Sequence, residues 1–128
     1  MATSTPGGAK TNLGLEPNVA GLLCYVPCCV GLVFSVVAAI VEKQSRFVRF
    51  HAFQSLLLNG AALVLWFGFI VLGMVLGAVS GLLSMILFPV EIVVGIAFLA
   101  LTILLMIKAH GGEEYELPVI GPMARQWV

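Results

Sequence analysis

Glu42-Lys43-Gln44-Ser45-Arg46-Phe47-Val48-Arg49-Phe50-His51-Ala52-Phe53-Gln54-Ser55 is the one polar island in an otherwise apolar chain. It gathers three of the six basic residues and interleaves them with three phenylalanines. Residues 19–41, before it, carry no charge, and residues 50–107 carry only Glu91. About 20 helical residues cross the ~30 Å hydrocarbon core of a bilayer, so residues 19–41 predict one transmembrane helix. Residues 50–107 would form a single helix of roughly 87 Å at 1.5 Å per residue. That is too long for one crossing, so this part of the chain must turn back once.

Composition points the same way. The chain has 128 residues, 61% hydrophobic and 9% charged, with a mean hydropathy of +1.14. Soluble domains carry roughly 25% charged residues, and this chain could not cover a water-facing surface. The expected fold is all-α and integral to a membrane, with three transmembrane helices at about 19–41, 50–76 and 84–107. Asn18 is the expected first helix cap, and Pro27 is expected to kink the first helix. The second turn should fall within 73–89, where Gly73, Gly77, Ser80, Gly81 and Ser84 concentrate. By the positive-inside rule, Lys43, Arg46 and Arg49 place the first loop, 42–51, in the cytoplasm. Three crossings then put the N-terminus outside and the C-terminus inside. Residues 1–17 read as a polar tail, 18–108 as the membrane domain and 109–128 as an interfacial tail. Formal net charge is zero, so no global field favours nucleic acid.

Several residues could carry chemistry or contacts. Lys43, Arg46, Phe47, Arg49, Phe50 and Trp127 read as an interfacial anchor, with cations on phosphates and rings in the acyl boundary. The sharper reading of the island is a docking site for acids. Glu113, Glu114 and Glu116 would lie on the same side, so at least one is expected near Lys43, Arg46 or Arg49. His51, Ser55 and Asn59 step by four, and polar groups in hydrocarbon need partners. They read either as interhelical hydrogen bonding or, at His51, as a ligand, pigment or proton site. Glu91 either snorkels to the outer interface or belongs to a proton path.

Gly73, Gly77 and Gly81 either pack two backbones or make the turn. Cys24, Cys28 and Cys29 suit close packing in a membrane helix better than a soft-metal site. No phosphate-binding glycine loop, His-Glu-x-x-His, Cys-x-x-Cys or Gly-x-Ser-x-Gly occurs. An enzyme is therefore not expected, and no cofactor is predicted, although a bound lipid or pigment is compatible with the pattern.

Gly14-Leu15-Glu16-Pro17-Asn18-Val19-Ala20-Gly21-Leu22-Leu23-Cys24-Tyr25, the island itself, and Tyr115-Glu116-Leu117-Pro118-Val119-Ile120-Gly121 together carry a resemblance. Over about residues 14–127 the chain resembles small three-helix membrane proteins of bacteria and archaea whose function is unknown. That family is distantly similar to the twenty-kilodalton component of the chloroplast inner-envelope protein-import translocon. The resemblance implies a multi-pass protein of a bacterial or archaeal cytoplasmic membrane and supplies no catalytic residues. The expected function is an accessory or scaffold subunit of a larger membrane complex, an energy-transducing one being one case. The alternative is an oligomeric, translocon-like conduit for protein or solute. Expected partners are membrane lipids, other integral subunits or further copies of the chain, and not nucleic acid.

Overall fold

The computed structural model describes residues 11–27 and 29–128. Six helices occur among them: α1 (Pro17–Leu23), α2 (Cys29–Val41), α3 (Arg46–Val79), α4 (Gly81–Met85), α5 (Leu87–His110) and α6 (Ile120–Arg125). No strand forms among the described residues.

The apolar run 19–41 is not one helix. Continuing α1 through Pro27 would press the proline ring on the Leu23 carbonyl and leave that carbonyl without its donor. The residue before a proline is also pushed away from helical dihedrals. The helix therefore stops at Leu23, and α2 starts at Cys29 and runs back the way the chain came. Gly31 makes the reversal possible, because a β-carbon there would lie 2.1 Å from the Val26 carbonyl oxygen. The buried Cys24 carbonyl, left over where α1 ends, accepts the hydroxyls of Ser35 (2.9 Å) and Ser55 (2.6 Å). At 13 residues, α2 is about 20 Å long, short of a crossing.

The two arms end together. The Asn12 N–H donates to Glu42 Oε2 at 2.8 Å, and the Lys43 N–H donates to Asn12 Oδ1 at 2.7 Å. Asn18, expected as a cap, instead sends its side-chain amide to the His110 carbonyl at 3.0 Å. Residues 11–18, 42–45 and the chain after α5 thus meet at one end of the bundle, here the capped end. In place of one continuous helix over 19–41, α1 and α2 form a helical hairpin whose two outer ends lie beside the C-terminal tail; residues 1–10 of the expected N-terminal tail lie outside the described residues.

The two later helices lie where hydropathy placed them. Arg46–Val79 and Gly81–His110 are long and apolar enough to cross a membrane. Most of the island is helix rather than loop, so the connection shrinks from 42–51 to residues 42–45. Ser45 caps α3 by accepting the Val48 N–H at 3.2 Å. The far turn is a single extended residue, Ser80, whose hydroxyl caps α4 through the Leu82 N–H. The bend between α4 and α5 has a cause in Pro89, whose ring would meet the Met85 carbonyl in a continuous helix. A β-carbon added at Gly73 would stand 3.7 Å from Leu87, and one at Gly77 would stand 3.7 Å from Ser84, whereas Gly81 faces open space.

The core sits near the capped end. Ala20, Cys24, Tyr25, Phe47, Val48, Ala52, Leu105, Ala109 and Leu117 pack there. Small residues admit α1 between the long helices: a β-carbon on Gly21 would meet Phe47 at 3.0 Å, His51 at 3.3 Å and Ala109 at 3.4 Å. Beyond the tip of this wedge, α3 and α5 expose leucine, valine, isoleucine and phenylalanine, Val64 to 74% and Phe88 to 66%. A single-chain surface of this kind suits acyl chains rather than water.

Candidate functional site

The polar stripe of α3 faces protein, as hydrocarbon demands of polar groups. His51, Gln54 and Ser55 have no exposed surface, and Tyr25 keeps 2%. His51 Nε2 lies 3.0 Å from the Glu113 carbonyl oxygen, which can only accept, so this nitrogen carries the proton. In the neutral ring Nδ1 then accepts, and the Tyr25 hydroxyl donates to it at 2.9 Å. The Tyr25 oxygen accepts in turn from Gln54 Nε2 at 2.9 Å. Gln54 also donates to the Tyr115 carbonyl at 2.9 Å, and its Oε1 accepts the Leu117 N–H at 3.0 Å. One network therefore ties α3, the α1–α2 turn and residues 113–117 together, with each polar group matched to a partner of the opposite kind.

Both ring nitrogens of His51 are used within the chain, which leaves neither open to a ligand. Phe47, Phe50 and Tyr25 stand edge-on around the ring, with centroids at 4.5, 5.3 and 5.4 Å. Phe47 and Phe50, expected at the lipid boundary, are instead 1% and 0% exposed. They wall in the histidine because they share its face of α3. Ser55 holds the hairpin turn, and Asn59 bonds back to the Ser55 carbonyl at 2.8 Å.

The tail docks on the island, but through its backbone. The ion pairs of its acids fall inside residues 108–125. Arg125 takes Glu116 and Glu114, the latter at 2.6 Å, and Lys108 takes Glu113 at 3.5 Å. Bases carried on α5 and α6 are nearer to these acids, and such exposed pairs are worth only about 0.2–1 kcal/mol each. The Arg125 guanidinium also lies 4.2 Å from the centre of the Phe50 ring. Arg49 is spent elsewhere, donating to the Glu42 carbonyl at 2.9 Å and to the Trp127 carbonyl at 3.2 Å. Lys43, Arg46 and Trp127 remain exposed at the capped end. Val119, at φ 68°, sits in a strained tight turn closed by the Ile120 N–H on the Pro118 carbonyl at 2.7 Å.

Three contributors escaped the sequence reading: Tyr25, Gln54 and Glu42. The Glu42 carboxylate is fully buried. It accepts the N–H groups of Asn12, Gln44 and Ser45 at 2.8, 2.7 and 2.9 Å, gathering the start of the described chain and the start of α3. Glu42→Ala orphans these donors and is expected to cost about 2–3 kcal/mol, read as a lowered unfolding midpoint in detergent. Of the cysteines, Cys24 is buried in the core, Cys29 is exposed, and Cys28 lies outside the described residues. Among the described residues, no group of three or more His, Cys, Asp or Glu side chains is placed to hold a metal.

A family model described as "Magnetosome magnetite crystal formation protein family" matches residues 15–124. The chain belongs to that family. It is also similar to archaeal proteins named UPF0132 membrane proteins. One from Methanocaldococcus jannaschii is 41% identical over 120 residues, covering 92% of this chain and 94% of the relative. A second from that organism is 34% identical over 116 residues, covering 90% and 72%. One from Archaeoglobus fulgidus is 31% identical over 114 residues, covering 89% and 97%. No solved structure matches. The family match spans the hairpin, both long helices and the docked tail, and the relatives' names agree with the apolar helices that this is a small membrane protein.

Proposed function

We propose that the chain is a non-enzymatic, multi-pass membrane protein that serves as an accessory or scaffold subunit and docks other membrane components at its capped end. One observation carries this reading. Three distant segments close over His51 and Gln54 into a prefolded cap that presents Lys43, Arg46 and Trp127 outward. Exposed cations beside a tryptophan suit both anionic headgroups and protein interfaces. The family description speaks of magnetite crystal formation, and a membrane scaffold is a role that fits assembly around a mineral. Native mass spectrometry of the chain from its own membrane in gentle detergent tests the docking. Co-purified subunits that are lost in a Lys43→Ala/Arg46→Ala variant support it, and a lone monomer sinks it.

The same cap supports a topology of two crossings, α3 and α4–α5, with the described N-terminal residues and the tail both cytoplasmic. Lys43, Arg46, Arg49, Lys108 and Arg125 all gather at this end, as the positive-inside rule favours for a cytoplasmic face. A cysteine at position 80, in a chain otherwise free of cysteine, is expected to react with an impermeant maleimide added to intact cells. Cysteines at 12 and 126 are expected to react only after lysis. Labelling of position 12 in intact cells would restore a three-crossing chain.

A second reading, an oligomeric conduit in keeping with the translocon resemblance, has one observation in its favour. Non-helical backbone at membrane depth is tolerated where it is buried in protein or lines a cavity. Tyr25, Val26 and Pro27 line a cavity between α3 and α5. Proteoliposomes no leakier than empty vesicles would remove this reading.

A further inference from the structure

The wedge formed by the α1–α2 turn holds α3 and α5 apart, and a crevice opens between them. It consists of a cavity of about 260 Å³ near Tyr25 and Asn59 and a more open one of about 410 Å³ near Glu91. The two share Trp66, Gly95 and Leu99, and together they reach the size of sites that take small organic ligands, roughly 300–1,000 Å³.

Glu91 is the one charged residue in this crevice. It forms no hydrogen bond or ion pair with any described residue. It cannot borrow a cation from the chain, because the described bases lie at the capped end. Lys108, on the same helix, is ~25 Å further along the axis. An acid facing hydrocarbon is costly unless it is paired. Gly95, one turn on from Glu91, lets the Trp66 ring approach to 3.9 Å from where a β-carbon would stand. A cation on the carboxylate would therefore stand beside an indole, which attracts cations. The mouth is lined by Phe88, Ile92 and Ile96 and opens onto the apolar flank, so the ligand enters sideways from the bilayer.

We propose that this crevice binds a phospholipid with a primary-amine headgroup, its ammonium on Glu91 beside Trp66 and an acyl chain running toward Asn59 and Tyr25. The ammonium donates a charge-assisted hydrogen bond to the carboxylate. A choline headgroup has no N–H to donate, and a glycerol headgroup brings a phosphate without a cation. The proposal needs α3 and α5 to span a bilayer and is independent of the docking role.

Trp66 and Trp127 are the two tryptophans, so in full-length Trp127→Phe protein the fluorescence of Trp66 reports the crevice alone. Nanodiscs containing graded amounts of brominated phosphatidylethanolamine, phosphatidylcholine or phosphatidylglycerol supply the probe. Half-maximal quenching is expected at roughly tenfold lower mole fraction for the ethanolamine lipid than for the other two, the worth of one charge-assisted bond. Glu91→Gln, nearly the same shape, is expected to erase the difference. Gly95→Leu keeps the carboxylate but fills the space beside Trp66, and is also expected to erase it. Equal quenching by the three lipids in the unsubstituted crevice overturns the proposal. A preference that survives either substitution overturns it too.

Discussion

Gln54→Leu is expected to detach residues 113–117 from the bundle while leaving the long helices in place. Leucine fills nearly the same volume but removes a bifunctional amide that touches Tyr25, the Tyr115 carbonyl and the Leu117 N–H. The Leu117 N–H left behind is buried and the Tyr115 carbonyl partly so, and each buried group without a partner costs about 1–3 kcal/mol. The whole substitution should therefore cost roughly 3–5 kcal/mol. The loss falls on the docking of the strap, because most of the length of α3 and α5 lies away from Gln54 and makes no contact with it. A protease specific for glutamate is the direct readout, since Glu113, Glu114 and Glu116 lie in the strap. When cutting follows local opening, its rate tracks the open population. An acceleration on the order of a hundredfold or more is expected. An unchanged rate would mean that the strap is held by Arg125 and α6 alone.

Gly31→Ala is the second large effect. The new methyl carbon would stand 2.1 Å from the Val26 oxygen, 2.8 Å from its nitrogen and 3.0 Å from its carbonyl carbon. All three are backbone atoms, so no rotamer change relieves the clash. Overpacking in a core costs about 1–3 kcal/mol where side chains can adjust, and here the cost is expected to reach or exceed roughly 3 kcal/mol. Relief requires α2 to swing away from Val26, which pulls Ser35 from the Cys24 carbonyl. The buried Cys24 thiol then becomes a reporter. In protein with Cys28 and Cys29 replaced by serine, maleimide should label Cys24 slowly, and many times faster after Gly31→Ala. Gly68, which faces open space, is the control, and Gly68→Ala should leave the labelling rate alone.

These two sites also show where the sequence was legible. Hydropathy found α3 and α5 because a continuous apolar helix of that length has one natural environment. It misplaced the first span because the apolar content of 19–41 is the same whether the chain crosses or turns round. The deciding information is steric, in Pro27 against the Leu23 carbonyl and Gly31 against Val26. Spacing marked His51, Ser55 and Asn59 as needing partners, but it could not name them. Those partners are largely main-chain carbonyls, of Cys24, Glu113 and Ser55, and a carbonyl leaves no mark in a sequence. Counting charges on one side of a membrane puts the tail acids near Lys43, Arg46 or Arg49, but it does not say which base each acid takes. Arg125, nine residues from Glu116, wins by proximity.

The strap has a consequence in time. Leu117 follows Gln54 by 63 residues, which at about 5–20 residues per second is roughly 3–12 s of synthesis. Through that interval the amide of Gln54 and the ring of His51 are already made but lack the carbonyls of Glu113 and Tyr115 that will satisfy them. A nascent chain at this stage is an incomplete bundle with a wet, open end. Only when residues 113–117 arrive does the end close, so a chain truncated between the far turn and the strap keeps His51 and Gln54 open to water.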